Sequence, residues 1–352
     1  MAKLLARTVG YEDHIFDLVV KSLARDSTSW ATTVPRHSFN GLSGPGRSVE
    51  NCESWKFPVV EPHYAAELPV EERLRWNQVT FVFRADNDGA PPAKVEVVGL
   101  PEIELRAVPL EPVGDSIYFA ATVLLPAGRV YRYAFRVDGV VQPDPINPQR
   151  VQLANGEVAS QFFTDYCYEP VTFERWELAL LRRVTNHILP FNSREAELFQ
   201  LNPGGGGFAA LSPQLYCLDH GVGAANYIDK LLAREERHHQ DAYRRCLKQI
   251  DRILRQRQPY LEPRDITEDE FIKLYDEMGS GSVAGWDYND YASPQYFLFL
   301  LRRHTWTGAF CHPKYGGNGN SAGWLWLAGK LPPFNFGGGL EAPWGDNGEY
   351  RG

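Results

Sequence analysis

The hydrophobic and polar positions change period once along the chain. From Trp76 to Val141 they alternate. Val79, Phe81 and Phe83 are set against Thr80, Val82 and Arg84, and similar runs follow at 93–98, 103–108, 117–125 and 130–137. Alternation with period two sends successive side chains to opposite faces of a strand, so these runs read as half-buried β-strands. Pro91-Pro92, Pro126-Ala127-Gly128 and Asp138-Gly139 separate them. Asp-Gly between Arg136-Val137 and Val140-Val141 predicts a hairpin. Short strands at this spacing, with no helical pattern among them, predict a β-sandwich.

Beyond Pro170 the period becomes helical. Thr172 is placed as the N-cap of a helix in which Phe173, Trp176, Leu180, Leu181, Val184 and Ile188 form one stripe, ended by Pro190. Helices are predicted over 224–233 and 235–257, the second with Tyr243, Cys246, Leu247, Ile250, Ile253 and Leu254 on one face. Thr267-Glu268-Asp269-Glu270 reads as a capping box ahead of Phe271, Leu274, Tyr275 and Met278. Ser293-Pro294 begins a last long helix carrying Tyr296, Phe297, Leu300, Leu301 and His304 up to Gly308. The second half is therefore an expected all-α bundle.

At the ends the pattern is weaker. Tyr11, Ile15, Leu18, Val19 and Leu23 fit a short amphipathic helix near 11–24, followed by a Ser-, Pro-, Gly- and Asn-rich arm with scattered aromatics. The stretch from Pro332 to Trp344 combines aromatics with little regular pattern, which suits both a partner-embracing tail and a frayed end. The expected organisation is an arm over 1–74, a β-sandwich over 75–168, a helical domain over 169–337 and a Gly-rich tail over 338–352.

Composition narrows the function classes. The 352 residues leave room for two domains, and 43% hydrophobic with 23% charged content is that of a soluble globular protein. Net charge is −8 without a basic block, which argues against nucleic acid, since phosphate binding needs a concentrated basic face. No apolar run approaches the roughly 20 residues that span a bilayer, so no membrane span is expected. Met1–Thr8 has neither an apolar signal core nor a twin-arginine pair. A cytoplasmic location is the expectation, with periplasmic delivery by co-export on a partner as the alternative. The five cysteines are widely spaced, without C-x-x-C, and fit reduced thiols.

The stretch Gly308–Leu327 concentrates candidate chemistry: His312, Tyr315, Asn318, Trp324 and Trp326 among five glycines. His312 with Tyr315 and Asn318 would suit acid–base work; the competing reading is a turn in which Gly316-Gly317 permits reversal and Asn318 satisfies backbone. A metal site from His304, Cys311 and His312 lacks a recognised ligand spacing. His304 reads as a helix-face residue, and His238-His239 as part of a solvated charged helix. Asp287 and Asp290 read as a polar loop. Cys311 beside His312 would be an activated thiolate only with an orienting group, and the sequence supplies none. Pro203–Phe208 lacks the Lys-Ser/Thr of a phosphate loop, and Gly221-Val222-Gly223 lacks the third Gly of a dinucleotide fingerprint. No catalytic or metal-ligating residue is assigned.

Two stretches resemble known families. Leu125–Gly139, followed by Pro143-Asp144-Pro145-Ile146-Asn147-Pro148, resembles the early-set immunoglobulin-like domain of glycogen-binding modules, a domain that also precedes the catalytic part of isoamylases and enterochelin-type esterases. The resemblance implies an immunoglobulin-like early-set β-sandwich. Sugar-binding members stack a Trp of the loop after the second strand on glucose and carry a Lys in the tyrosine-rich strand. Here that loop reads Gly99-Leu100-Pro101-Glu102, and Ala134 stands between Tyr133 and Phe135. A carbohydrate-binding protein acting through this domain is the alternative function.

Thr172–Pro190, Tyr227–Leu232, Thr307–Asn318 and Gly323-Trp324 are similar, in order and spacing, to the gluconate 2-dehydrogenase subunit 3 family. The resemblance covers 170–337. It implies a non-catalytic accessory subunit with no redox centre and no cofactor of its own. The implied partner is a flavin-dependent oxidoreductase large subunit of the glucose-methanol-choline type, which carries FAD and acts on CH–OH groups of sugars, so a carbohydrate substrate would lie nearby. A multihaem cytochrome often completes such complexes. The missing twin-arginine pair and the added arm and β-domain depart from the family pattern and weigh against a cytochrome subunit here. The partner-binding residues carried over are His312, Tyr315, Gly316, Gly317, Asn318, Trp324 and Trp326; the family's charged residue after the Asn is Gly319 here.

Overall fold

The computed structural model describes residues 3–4, 57–64, 68–69, 73, 75–85, 91–99, 107–113, 117–189, 222–262, 265–319 and 322–325. The expected helix near 11–24, most of the arm, the loop from Leu100 to Glu102, Pro203–Phe208, Trp326 and the tail lie outside the described residues. The chain divides into two compact units, Met1–Asp165 and Tyr166–Gly352.

The first unit is antiparallel β. Its strands are β1 (Lys3–Leu4), β2 (Val59–His63), β3 (Trp76–Arg84), β4 (Val95–Gly99), β5 (Val108–Pro112), β6 (Tyr118–Pro126), β7 (Val130–Val137), β8 (Val140–Gln142), β9 (Arg150–Gln152) and β10 (Val158–Phe163). They run in the order β2-β3-β6-β5-β4-β7-β10-β9, with β1 on β6 and β8 on β7. A sandwich has two separate sheets, but here β5 joins them: Val108–Leu110 pairs with β4 and Glu111–Pro112 with β6. The result is one sheet curled on its apolar face. Phe81 of β3 packs edge-on to Tyr133 of β7 at 5.1 Å and to Phe162 of β10 at 5.6 Å, although these strands are not neighbours in the sheet.

The alternation of Val79, Phe81 and Phe83 is that of the buried core. Thr80 on the opposite face meets Thr122 at 3.0 Å. The predicted hairpin forms, with Asp138 at φ 47° and Gly139 at φ 91° between paired Val137 and Val140. Strands β2, β9 and β10 carry no clear alternation and were not expected. The Pro143–Pro148 segment is a buried polar knot. Tyr133 donates to Asp144 Oδ2 at 2.5 Å, Asp144 Oδ1 accepts from Ile146 N–H at 2.7 Å, and Asn147 Nδ2 donates to the Gln161 carbonyl at 2.8 Å.

The second unit is helical: α1 (Arg175–Ile188), α2 (Ala224–Ala233), α3 (Gln240–Arg257), α4 (Glu268–Ser280), α5 (Pro294–Phe310) and the short α6 (Ala322–Leu325). The stripe on α3 is buried in full, as are Phe271, Leu274 and Met278 of α4, with Tyr275 packed at the core's edge. Several local expectations are corrected. Thr172 does not cap α1. Glu174 does, in a reciprocal box with Glu177, while Thr172 bonds Asp229 instead. Trp176 is exposed, because the buried side of α1 runs through Leu178, Leu180, Leu181 and Val184. Thr267 precedes α4 without a side-chain cap bond, so the box read there does not form. Ser293 does cap α5, accepting from Tyr296 N–H, but Tyr296 itself faces outward. α3 starts at Gln240, after a 3₁₀ turn over Arg237–His239. His304, read as a helix-face residue, lies on the buried face of α5, with Nδ1 2.8 Å from the Tyr243 hydroxyl. Asp287 and Asp290 build a loop as expected: Asp287 Oδ1 accepts from Asn289 N–H and Asp290 Oδ2 accepts from Gln249.

Candidate functional site

The end of α5 and the loop after it form a hydrogen-bonded knot. Cys311 leaves helical geometry while its N–H still reaches the Thr307 carbonyl at 2.8 Å. His312 then caps a 3₁₀ turn over Pro313–Tyr315, its Nδ1 accepting from Lys314 N–H at 3.1 Å. Gly316 at φ 88° and Asn318 at φ 47° turn the chain back; Asn tolerates this region better than most side chains. Asn318 N–H donates to the Gly308 carbonyl at 2.7 Å and its Nδ2 to the Cys311 carbonyl at 2.8 Å. Its Oδ1 accepts from Gly323 N–H at 2.8 Å, and Trp324 Nε1 donates to the Phe310 carbonyl at 2.8 Å. Helix ends leave their last carbonyls without intrahelical partners. Here Asn318 and Trp324 occupy them.

Two glycines let backbones meet where a side chain has no room. A Cβ on Gly317 would lie 2.1 Å from the Gly308 carbonyl oxygen, and one on Gly323 would lie 2.0 Å from that of Ala309. The density of glycine in this stretch thus answers an internal need for close approach.

α2 carries the layer beneath. Asn226 Nδ2 donates to the Gly316 carbonyl at 2.8 Å and the Cys167 carbonyl at 3.0 Å. Lys230 Nζ donates to Asn226 Oδ1 at 3.0 Å, to the Glu169 carbonyl at 2.7 Å and to Asp229 Oδ2 at 2.9 Å. Asp229 in turn accepts from the N–H groups of Val171, Thr172 and Phe173, each at 2.9 Å. Asp229 is 0% exposed and Lys230 3%. A buried pair of this kind persists only when its remaining donors and acceptors are satisfied. One bonded path therefore runs from the loop through Asn226 and Lys230 to Asp229 and the segment entering α1.

The electrostatics are those of a positioning element. Burial, helped by Lys314, holds the His312 imidazole down at about 4. It is neutral at pH 7, and since Nδ1 accepts, its proton sits on Nε2. Burial pushes the Cys311 thiol up to about 12 and the Cys167 thiol to about 11, the reverse of an activated thiolate.

Of the seven residues singled out in the sequence, the structure brings six into this knot. Gly316, Gly317 and Asn318 are buried inside it. His312 and Trp324 are half-buried, their rings edge-on at 5.6 Å, and Tyr315 is exposed. Trp326 lies outside the described residues. Sequence reasoning missed Asn226, Asp229 and Lys230. The available signal was an adjacent Asp-Lys inside Ala224–Ala233, whose other positions are almost all apolar or small. Among the described residues, one group of metal-capable side chains lies close together: Glu236, His238 and His239.

The family model for gluconate 2-dehydrogenase subunit 3 matches residues 213–329, which include α2 to α6 and the knot. No curated protein matches the chain. Among solved structures, ferric enterobactin esterase from Salmonella typhimurium is similar at 14% identity and a TM-score of 0.23, over 27% of this chain and 33% of that one. Enterochelin esterase from Shigella flexneri is similar at 16% identity and a TM-score of 0.22, over 25% and 30%. The chain thus spans a third or less of the length of these structures. No helix among the described residues is long and apolar enough to cross a membrane.

Proposed function

We propose that this chain is a non-catalytic accessory subunit that binds and stabilises a larger flavin-dependent oxidoreductase acting on sugars or polyols. The family match over 213–329 supports the class, since the matched family is described as a subunit. The observation that carries the docking is the outer face of α5. Tyr296, Phe299 and Trp306 are 51%, 63% and 47% exposed, at spacings of three and seven that place them on one side of the helix. Trp306 stacks on Phe310 at 5.7 Å, extending the row to the last residue of α5. Exposed Trp, Tyr and Phe in a row are residue types that anchor interfaces.

In this reading the knot presents Tyr315, His312 and Trp324 beside that row, while Gly316, Gly317 and Asn318 hold the loop in shape. FAD belongs to the partner. The first unit, read as an immunoglobulin-like domain, extends the contact surface, and assembly takes place in the cytoplasm. The test is co-expression with a flavoprotein encoded beside this chain. Co-elution of flavin absorbance with both chains is expected. A monodisperse monomer indifferent to that partner overturns the reading. Phe299→Ala with Trp306→Ala should weaken assembly tenfold or more while leaving the helical circular dichroism unchanged; full affinity would remove the α5 face from the interface.

A further inference from the structure

The turn between α2 and α3 holds a cluster that the accessory-subunit reading does not use. Glu236, His238 and His239 place one carboxylate oxygen and two imidazole nitrogens within 4.8 Å of one another. The backbone of the turn is fixed: Glu236 N–H bonds the Leu231 carbonyl at 3.0 Å and His239 N–H bonds the Glu236 carbonyl at 2.9 Å. The two imidazole rings lie with centroids 4.0 Å apart, and His239 Nε2 is 3.6 Å from Glu236 Oε2. We propose that Glu236, His238 and His239 form a binding site for one divalent transition-metal ion of the zinc, cobalt or nickel kind.

Two observations carry this. First, two imidazoles and a carboxylate are the donor set those ions favour, and three protein ligands leave a position for water. Second, the carboxylate is oriented from behind. His304 is buried, with Nδ1 on the Tyr243 hydroxyl and Nε2 2.8 Å from Glu236 Oε2. Ligands of a built metal site are commonly aimed by such a second layer. The site has a competitor in Arg303, whose guanidinium lies 2.5 Å from Glu236 Oε2 and repels a second cation. The ion would pin the α2–α3 turn to α5 through Glu236 and His304.

The test uses the tag-free full chain, stripped with chelator, because a polyhistidine tag would itself take the ion. Titration with Co²⁺, followed by its visible spectrum, and with Zn²⁺, followed by calorimetry, should show one ion per chain and a rise in melting temperature. His238→Ala, whose side chain is exposed, and His239→Ala should each weaken binding tenfold or more, with circular dichroism verifying the fold. Arg303→Gln removes the competing cation and should tighten binding several-fold. No uptake by the stripped chain, or uptake that survives the double His238→Ala/His239→Ala variant, overturns the site. Weaker binding in Arg303→Gln overturns the role given to Glu236.

Discussion

Replacing Asp229 by Ala is expected to be among the most damaging single changes in the helical unit. The side chain is fully buried, and it accepts from Val171, Thr172 and Phe173 N–H and from Lys230. Alanine strands three backbone donors and an ammonium that is itself buried. Breaking a buried ion pair by removing one partner costs about 3–5 kcal/mol, and each buried donor left unpaired adds about 1–3 kcal/mol where water cannot reach it. A loss of at least about 4 kcal/mol follows, a large share of the 5–15 kcal/mol that typically holds a domain. Asp229→Asn is the graded control, since its one remaining carbonyl oxygen can still serve part of the Val171–Phe173 segment. It should cost roughly half as much. Asp229→Ala with Lys230→Met should be less harmful than the two singles added, because no orphan charge remains. Urea unfolding followed by circular dichroism at the helical band reads this unit selectively, the first unit being β. An Asp229→Ala midpoint equivalent to less than about 1 kcal/mol of destabilisation would refute the reasoning, because it would mean that solvent or a relaxed backbone satisfies those groups.

Other outcomes follow from the same geometry. Gly317→Ala should cost about 3 kcal/mol or more, since its Cβ would meet the Gly308 carbonyl at 2.1 Å, whereas Gly156→Ala, strained at φ 85° but with open space around it, should cost about 1 kcal/mol; paired denaturation curves compare them. His304 and His312 are both held at about 4 in the folded chain against an ordinary 6.5, so the unfolded chain binds more protons between those values. Their contribution is therefore fully present above pH 6.5 and is lost as pH falls through about 4. For His304 it amounts to roughly 3 kcal/mol, and His304→Gln should flatten the stability profile across that window. Cys167 and Cys311, whose thiols burial pushes up to about 11 and about 12, and Cys246, which burial raises further, should resist alkylation at pH 8 in the native chain and react once it is unfolded, as mass spectrometry of the three sites would record.

The sequence by itself determined the order of the architecture and much of the core. Period two over Val79–Phe83 and Val130–Val137 and helical period over Tyr243–Leu254 place the buried residues, because the side of an element that leaves water is written in its own spacing. The Asp138-Gly139 turn and the α5 start at Ser293 were equally legible, being local chemistry. Where two local signals competed, tertiary structure chose. Thr172 had the residue type of a cap, but buried Asp229 took its N–H and hydroxyl, leaving Glu174 to begin α1. Thr267 had a capping-box pattern that its surroundings did not use. The order of strands in the sheet depends on pairings between segments distant in the chain, β3 with β6 and β4 with β7, which no short window of residues contains. The loop after α5 shows the division most clearly. Its glycines, His312 and Asn318 marked it in the sequence as special, but the reason lies in space. Asn318 meets carbonyls from the end of α5, Gly317 lies against Gly308, and α2 supplies Asn226 and Lys230 from below. Side-chain type can announce that a loop is built for close contact; only packing decides what it is built against.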